Sequence, residues 1–177
     1  MIGIYLNNPT TAVILKDAYS YSLRSPDPSS QLGAVVVTSD NWFVNGLNDF
    51  TAGIVAEDVL CDRECKLAHI EHAERAAIYE AAYHGLEVVG ATMYCPWACC
   101  SDCARGIVLS GISRLMVHKE RMDLSPERWR KSMDIAMNIL TKAEIVVNYY
   151  SGPIDSPPVL VNGRLWSPLK LDWVDAI

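Results

Sequence analysis

Hydrophobic side chains in the first part of the chain follow helical spacing and then strand spacing. Residues 12–23 place apolar side chains at helical intervals, and a Ser- and Pro-rich segment follows them at 25–30. Short β-branched runs predict strands at 32–38 and 42–46, which lie close enough in sequence to form a hairpin. Periodicity is weak from 48 to 70, where we expect an ordered loop.

The rest of the chain alternates helix-type and strand-type patterns. A helix is predicted at 69–84, and Gly85 ends it. The elements predicted after it are a strand at 91–95, a helix at 102–110 followed by Gly111, a strand at 113–118, a helix at 129–141 and a strand at 144–149. A strand, a helix and a second strand in succession predict parallel pairing. The Pro- and Trp-containing tail after Gly152 is expected to be irregular.

Length and composition indicate one globular domain. The chain has 177 residues, of which 50% are hydrophobic and 20% charged. It contains no run of about 18 apolar residues and no basic, apolar leader at the N-terminus, so we expect a soluble cytoplasmic protein without a membrane partner. In that compartment the six Cys residues are expected to be reduced and available for metal binding.

The charge of the chain disfavours nucleic-acid strands as partners. The formal net charge is −6 at pH 7, the pI is near 5.1, and no stripe of Lys and Arg side chains is visible. Strands of nucleic acid are normally bound by a basic surface. A local pocket for one small phosphate group is compatible with this composition.

One constellation of residues points to metal chemistry. His72 and Glu74 lie two residues apart, and Cys100 and Cys103 follow with the spacing C-x-x-C. If His72 opens a helix, its side chain and that of Glu74 diverge, so that one can bind a metal ion while the other faces a reacting group. Two Cys side chains at the start of a helix can reach one tetrahedral zinc ion as thiolates. One imidazole, two thiolates and a carboxylate that does not bind the metal are what a zinc-dependent base deaminase requires.

Other interpretations of these motifs fit the sequence less well. A lone His such as His72 is most often an ordinary core or surface residue, but the order and spacing of all four residues favour a site. A redox role for Cys100 and Cys103 would be expected with a flanking βαβ pattern and without the His-Ala-Glu segment. A structural zinc site would have a fourth Cys or His in place of the carboxylate.

Longer segments resemble the deoxycytidylate (dCMP) deaminases of the cytidine deaminase-like superfamily, including those carried by phages. The resemblance covers roughly residues 12–147. The similar segments are RSPDPSSQLGA at 24–34, GLNDFTAG at 46–53, EHAERAAI at 71–78, ATMY at 91–94, CSDCARGI at 100–107 and SGI at 110–112. The resemblance implies a three-layer α/β fold in which helices flank a five-stranded mixed sheet. We expect a deaminase domain at 1–150 and a tail at 151–177 that packs on this domain or on a neighbouring subunit.

The resemblance also implies a reaction, the hydrolytic deamination of dCMP to dUMP and ammonia, which supplies dUMP for dTMP synthesis. His72, Cys100 and Cys103 would hold Zn²⁺. Glu74 would carry protons from water to the ring nitrogen N3 and to the leaving amine. The implied substrate contacts are the Ala73 backbone N–H with the base, Asn48 with the deoxyribose, Trp97 with the ring face and Arg24 with the phosphate.

The chain departs from the family pattern in the segment 47–53, which lacks the usual Tyr and Pro, and at three further positions. Cys99 stands where the family usually has Pro, which makes it an alternative to Cys100 as a ligand, although the C-x-x-C spacing favours Cys100. Ala76 stands where many relatives have Asn, and Tyr83 where some have Arg. The last two departures leave recognition of the monophosphate open.

Residues 46–53 correspond to a region through which related enzymes respond to nucleotides. In those relatives, which are commonly hexamers, dCTP activates and dTTP inhibits. The resemblance therefore implies a homo-oligomer, with a hexamer as the expected form, and an allosteric site at Asn48, Asp49 and Phe50 that binds a triphosphate together with Mg²⁺. The alternative is a plain turn that positions Asn48 for the sugar.

A second cluster of metal-ligand residues precedes the main motif. Cys61, Cys65 and His69 are spaced by four residues and could hold another zinc ion on one helical face. The sequence shows no clear fourth ligand, and lone Cys residues are commonly part of the core.

Alternative functions differ in substrate or in class. Free deoxycytidine, dCTP and polynucleotide cytosine are alternative substrates. Trp97 stands where strand-editing deaminases have a Trp, but the acidic composition argues against a basic groove. A non-catalytic, zinc-stabilised nucleotide-binding protein is an alternative of another class, and Glu74 argues against it because such a protein has no need of a proton carrier.

Overall fold

The structure, a computed structural model, describes residues 4–5, 8–54 and 62–175. Its elements in chain order are β1 (Ile4–Tyr5), α1 (Pro9–Ser22), β2 (Gly33–Val37), β3 (Phe43–Leu47), β4 (Asp49–Phe50), α2 (Arg63–His69), β5 (Ile70–Glu71), α3 (Ala73–Tyr83), β6 (Thr92–Cys95), α4 (Ser101–Leu109), β7 (Arg114–His118), α5 (Lys119–Asp123), α6 (Glu127–Lys142), β8 (Val146–Tyr150), β9 (Val159–Val161), β10 (Arg164–Ser167) and β11 (Asp172–Trp173).

A mixed sheet forms the centre of the fold, with strand order β1, β8, β7, β6, β2, β3. Strands β1, β8, β7 and β6 are parallel to one another, and β2 pairs antiparallel with β6 and β3. The five longer strands confirm the predicted five-stranded mixed sheet, and β1 adds two residues at one edge. Ala34 and Val36 of β2 face the cluster that contains α3, whereas Val35 packs with α1. Helices on both faces explain why β2 is apolar along its length.

Capping residues set where two of the helices begin. Helix α1 begins at Pro9, before the predicted start, because the Asn8 side chain accepts a hydrogen bond from the Thr11 N–H at 2.8 Å. Helix α2 lies in the segment predicted to be a loop, so the loop prediction is wrong there. The Asp62 side chain accepts from the Cys65 N–H at 2.8 Å and closes the first turn of α2. Among the described helices, none combines the length and apolar character needed to cross a membrane.

The tail contains a three-stranded antiparallel sheet of β9, β10 and β11, so the prediction of an irregular tail is wrong. Asn162 and Gly163 join β9 to β10 with φ values of 52° and 79°. Left-handed values at both positions are typical of a two-residue hairpin turn, for which Asn-Gly is a preferred sequence. Trp166 of β10 is 1% exposed and packs near Tyr19 of α1. The tail and α1 therefore share one apolar cluster.

A larger apolar cluster lies between the sheet and helices α3, α4 and α6, and it contains Cys100 and Cys103. Within it, α3 packs very closely on β3. A Cβ atom at Gly46 would lie 2.3 Å from both the Ala73 carbonyl oxygen and the Ala77 nitrogen. Glycine at this position lets the first turn of α3 approach the sheet.

Candidate metal centre and active site

Two helix N-termini meet at one end of the sheet and carry the four residues of the predicted site. His72 is the N-cap residue of α3, and Glu74 lies in the first turn of that helix. Cys100 is the N-cap residue of α4, and its Sγ atom accepts from the Cys103 N–H at 3.5 Å. The two helices pack against each other. Because α4 follows β6, the Cys pair lies beyond the carboxyl end of a parallel strand, where α/β folds commonly bind ligands.

Donor atoms of three residues form a triangle of equal sides. The His72 Nδ1 atom lies 3.5 Å from the Sγ atoms of Cys100 and Cys103, and the two Sγ atoms are 3.5 Å apart. Ligands at tetrahedral angles around zinc are separated by about 3.6 to 3.8 Å at the usual Zn–S and Zn–N distances. This donor set therefore fits a tetrahedral zinc site with three protein ligands and one position for water.

Hydrogen bonds within the triangle favour the thiolate form of Cys100. The bond with Cys103 and, after the opposing effect of burial, the bond with His72 lower the pKa of Cys100 to about 4. The same bond with Cys100, together with burial, raises the pKa of Cys103. Burial lowers the pKa of His72, but the hydrogen bond with Cys100 and the charge of Glu74 outweigh this effect and raise it.

The Glu74 carboxylate is buried next to the triangle. Its exposed fraction is 0%, and neither oxygen has a hydrogen-bond partner among the residues that the structure describes. Burial raises the pKa of Glu74, and the neighbouring His72 opposes this increase. A buried carboxylate is costly unless a ligand, a water molecule or a proton satisfies it. Its position and raised pKa make Glu74 a candidate for a group that exchanges protons with a bound ligand.

Arg75 connects two of the candidate metal ligands. Its guanidinium donates to the Cys103 Sγ atom at 3.3 Å and forms an ion pair with Glu71. The Glu71 carboxylate accepts from the His72 N–H at 2.7 Å. A positive charge beside a thiolate stabilises it, and partners of this kind keep metal ligands in orientation.

A cavity of about 600 Å³ lies beside the triangle. This volume is within the range of small-molecule binding sites. His72, Asn48 and Trp97, all predicted from the sequence, line the cavity, and so do Trp129 and Arg121, which sequence reasoning missed. The rings of Trp97 and Trp129 have centroids 5.4 Å apart and are nearly perpendicular. The cavity thus joins the metal ligands to aromatic and cationic side chains.

Asn48 is fixed in the cavity wall by two hydrogen bonds. Its Oδ1 atom accepts from the Ala73 N–H at 3.0 Å, and its Nδ2 atom donates to the Ser30 carbonyl oxygen at 3.1 Å. The Ala73 N–H therefore already has a partner within the protein. Its contact with a base, and the contact of Asn48 with a sugar, stay predictions.

Arg24 is not brought to this cavity. Its guanidinium lies over the Tyr21 ring, 4.6 Å from the centroid, and the side chain is exposed. Cation–π contact at the end of α1 holds it there. The described residues that line the cavity do not include Arg24, so the structure gives no support to its predicted phosphate contact.

The structure distinguishes between the two adjacent Cys residues. Cys100 belongs to the ligand triangle, whereas Cys99 is buried outside it. Burial raises the pKa of Cys99, which keeps this thiol protonated. Of the two alternatives left open by the sequence, the geometry favours Cys100.

Asp49 and Phe50 form strand β4, which pairs with β5. Asp49 is opposite Glu71 and Phe50 is opposite Ile70, directly before His72. The predicted allosteric role of Asn48, Asp49 and Phe50 stays a prediction.

Cys65 and His69 lie on one face of α2. The Cys65 Sγ atom is 3.9 Å from the His69 Nδ1 atom, which is also 2.8 Å from the Cys65 carbonyl oxygen. Cys61, the third member of the suggested second zinc cluster, lies outside the described residues. A second zinc site is therefore untested.

Two charged features of the cavity had no signal in the sequence pattern. Arg121 lies in α5, a five-residue helix directly after β7 that is too short to show a period. Lys66 and Asp27 form a buried ion pair with N···O distances of 2.8 and 3.0 Å, although they are far apart in sequence. Only folding brings these groups to the site.

Known proteins share both the sequence and the fold of this chain. Residues 10–119 match the family described as the cytidine and deoxycytidylate deaminase zinc-binding region. Human deoxycytidylate deaminase is 32% identical over 118 residues, which are 62% of this chain and 65% of that protein. The deoxycytidylate deaminase of Enterobacteria phage T2 is 40% identical over 74 residues, 38% of this chain and 39% of that protein. The chain thus aligns with less than two thirds of the length of either relative.

A solved structure extends the similarity at the level of the fold. The dCMP deaminase of the cyanophage S-TIM5, in complex with dCMP and dUMP, has a TM-score of 0.59 and 17% identity, and the match covers 84% of this chain and 100% of that chain. The family match includes His72, Glu74, Cys100 and Cys103 and spans more than half of the sequence. The chain therefore belongs to the cytidine and deoxycytidylate deaminase family.

Proposed function

We propose that this protein is a zinc-dependent deaminase that hydrolyses dCMP to dUMP and ammonia and so supplies dUMP for dTMP synthesis. The observation that carries the proposal is the buried Glu74 carboxylate, which lies without a hydrogen-bond partner in the described structure beside the triangle of His72, Cys100 and Cys103. Membership of the family supports a cytosine derivative as the substrate. Its relatives in human and phage T2 are deoxycytidylate deaminases, which supports the deoxynucleoside monophosphate dCMP.

In the proposed reaction, three residues bind zinc and Glu74 transfers protons. His72, Cys100 and Cys103 would hold zinc, whose contribution when bound is to lower the pKa of a water molecule towards neutrality. Glu74 takes a proton from the attacking water and gives it to N3 of the cytosine ring. It then carries the second water proton to the amino group, which leaves C4 as ammonia, while the oxygen remains as the C4 carbonyl of dUMP.

Aromatic side chains of the cavity suit a flat pyrimidine ring. The Trp97 indole N–H donates to the Ser125 hydroxyl, which fixes the ring in the cavity wall. Trp129 lies between Trp97 and His72, with its ring centroid 6.1 Å from that of the imidazole. Faces and edges of two indoles offer packing surfaces for a base that approaches the metal ligands.

The proposal is tested by ammonia release from cytosine, deoxycytidine, dCMP and dCTP, measured in parallel with zinc-loaded protein. We expect the highest kcat/KM for dCMP. A preference for deoxycytidine or dCTP would retain the deaminase assignment but contradict the substrate. Absence of turnover with all four compounds, in protein shown to contain zinc, would favour the non-catalytic binding protein.

We also propose that a triphosphate regulates the enzyme, with dCTP as activator and dTTP as inhibitor, each bound with Mg²⁺. The resemblance of residues 46–53 to the regulatory region of related enzymes supports this. So does the pairing of Asp49 and Phe50 with the two residues that precede His72, since a ligand that shifts β4 would also shift β5 and the metal ligand after it. Coupling of this kind requires that effector and substrate favour the same conformation.

Regulation is tested by initial rates over a range of dCMP concentrations, with Mg²⁺ and each triphosphate, together with sizing of the protein. We expect a homo-oligomer, with a hexamer as the expected form, and sigmoidal rates that dCTP makes hyperbolic and dTTP makes steeper. Hyperbolic rates that neither triphosphate changes, from a monomer, would contradict the regulatory proposal and leave the proposed chemistry intact.

A further inference from the structure

Arg121 is a buried cation in the wall of the cavity. Its exposed fraction is 4%. Over residues 4–5, 8–54 and 62–175, no carboxylate oxygen lies within 4.0 Å of its guanidinium, and its Nε atom has no hydrogen-bond partner. A buried charge is normally paired, because removing it from water without compensation is costly. The position of Arg121 on the cavity therefore points to an anion that is supplied from outside the protein.

Lys66, the other buried cation that lines the cavity, differs from Arg121 because it forms an ion pair within the protein. Its exposed fraction is 8%, and its Nζ atom contacts both oxygens of Asp27 at 2.8 and 3.0 Å. The charge of Lys66 is thus neutralised inside the fold. Arg121 has a comparable depth and no such neighbour in the described structure.

None of the titratable groups described around Arg121 is an anion paired with it. Tyr19 and Cys95 are its titratable neighbours, and burial raises the pKa of both, so that each is neutral at pH 7. Glu120, the preceding residue, accepts from the Ser151 hydroxyl at 2.6 Å and from the Gly152 N–H at 3.0 Å. These bonds hold the Glu120 carboxylate on the side of the tail.

The cavity as a whole has an excess of positive charge on an acidic protein. The charged residues that line it, apart from His72, are the cations Arg63, Lys66, Arg121 and Arg128 and the carboxylates Asp27 and Asp62. The chain itself has a formal net charge of −6. Arg63 and Arg128 are exposed, whereas Arg121 is shielded from solvent and screening salt, so its attraction for an anion is the least weakened.

We propose that Arg121 binds the 5′-phosphate of the substrate and makes the enzyme selective for the monophosphate over the free nucleoside. This inference rests on the proposed deamination of dCMP, because cytosine and deoxyribose are uncharged and the phosphate is the anionic part of the molecule. The planar guanidinium can donate two parallel hydrogen bonds to phosphate oxygens. Arg121 would then take the role that the sequence resemblance assigned to Arg24, which lies elsewhere.

The test compares dCMP and deoxycytidine as substrates of the wild type, Arg121→Met, Arg121→Lys and the control Arg130→Met. Arg130 is an exposed residue of α6 that pairs with Glu127, outside the cavity. We expect Arg121→Met to lower kcat/KM for dCMP on the order of 100-fold, the effect of losing charge-assisted hydrogen bonds, with little change for deoxycytidine. Arg121→Lys should restore part of the loss, and Arg130→Met should behave as the wild type.

Thermal unfolding distinguishes this role from a structural one. Replacement of an unpaired buried charge by Met of similar length should leave the Tm unchanged or raise it. A structural Arg121 would instead give a lower Tm and equal losses for both substrates. An unchanged ratio of kcat/KM for dCMP and deoxycytidine in folded Arg121→Met would overturn the inference while leaving the deaminase assignment in place.

Inorganic phosphate provides a measurement that does not depend on turnover. We expect it to raise the Tm of the zinc-loaded wild type and of Arg130→Met, and to have a much smaller effect on Arg121→Met. If the wild type deaminates none of the substrates, the proposed function fails, but this difference in stabilisation still decides the role of Arg121. Equal stabilisation of wild type and Arg121→Met by phosphate would contradict it.

Discussion

Glu74 lies beside the candidate metal ligands without belonging to the triangle. A substitution of Glu74 is therefore expected to affect turnover without removing zinc. We expect Glu74→Gln to retain zinc and to lower kcat by at least about 10²–10⁴-fold, because the amide cannot carry protons. The Tm should not fall, since the substitution removes a buried carboxylate that lacks a hydrogen-bond partner in the described structure. Zinc analysis, steady-state rates and thermal unfolding of one preparation test this. Turnover near that of the wild type would contradict the role of Glu74.

The adjacent residues Cys99 and Cys100 allow a matched pair of variants that tests which thiol binds the metal. We expect Cys100→Ala to lose zinc and stability, because removal of one ligand leaves two donors of the triangle. Cys99→Ala removes a thiol that is buried to a similar extent, at 2% against 3% exposed, and should keep the metal. Zinc content per chain after dialysis against a weak chelator measures the difference. Equal loss of zinc from both variants would show that the ligands are wrongly assigned.

At the scale of secondary structure, the close contact of α3 with β3 positions His72, one of the candidate metal ligands. We expect Gly46→Ala to destabilise the protein by about 1–3 kcal/mol or more, because its Cβ atom would meet backbone atoms of α3 that cannot rotate away. The shift of α3 should also weaken zinc binding through His72. Urea unfolding and zinc titration measure both effects.

Gly106→Ala is the matched control for this substitution. A Cβ atom at Gly106 in α4 would lie 3.3 Å from the Cγ atom of Arg75, a flexible side chain. Alanine is also the better helix former. We therefore expect unchanged or higher stability, and a loss similar to that of Gly46→Ala would contradict the explanation by backbone contact.

At the scale of the whole molecule, His118 joins α1, the sheet and the tail. Its Nδ1 atom accepts from the Tyr19 hydroxyl at 2.7 Å, and its Nε2 atom donates to the Gly152 carbonyl oxygen at 2.9 Å. The Nε2 atom also lies 3.1 Å from a carboxylate oxygen of Glu120. An Nδ1 atom that accepts a hydrogen bond and an Nε2 atom that donates one belong to the neutral imidazole. Burial lowers the pKa of His118 below its ordinary value of 6.5, against the opposing charge of Glu120 and with a further decrease from Arg121.

His118 is therefore protonated at a higher pH in the unfolded chain than in the folded protein. Burial of neutral His118 costs no protonation energy above about pH 6.5, where the imidazole is neutral in both states. As the pH falls from there towards the lower folded-state pKa, the free energy of unfolding decreases by up to about 1.4 kcal/mol per pH unit. We expect the wild type to lose more stability than His118→Gln between pH 7 and pH 5.5. Urea unfolding at a series of pH values, with His84→Gln as an exposed control, measures this difference. Equal pH dependence of wild type and His118→Gln would contradict it.

Local signals made much of the fold predictable. His72 and Cys100 are the N-cap residues of the helices that follow the two motifs. The β-branched run of β2 predicts its burial on both faces. The Asn-Gly turn at 162–163 is an equally local signal for the tail hairpin, which the prediction of an irregular tail from its Pro residues did not include. Helix α2 depends on a single cap, Asp62, in a segment of weak periodicity.

The sequence by itself identified the four residues of the candidate centre, since His72, Glu74, Cys100 and Cys103 occur in two short motifs whose spacing restricts what they can do. Only the tertiary structure brings Cys100 rather than Cys99 into the triangle, places Arg24 outside the residues that line the cavity and brings Arg121 to it. Motif spacing constrains side chains within one helical turn, whereas the walls of a cavity come from elements distant in sequence. Their meeting depends on how the sheet, the helices and the tail pack together.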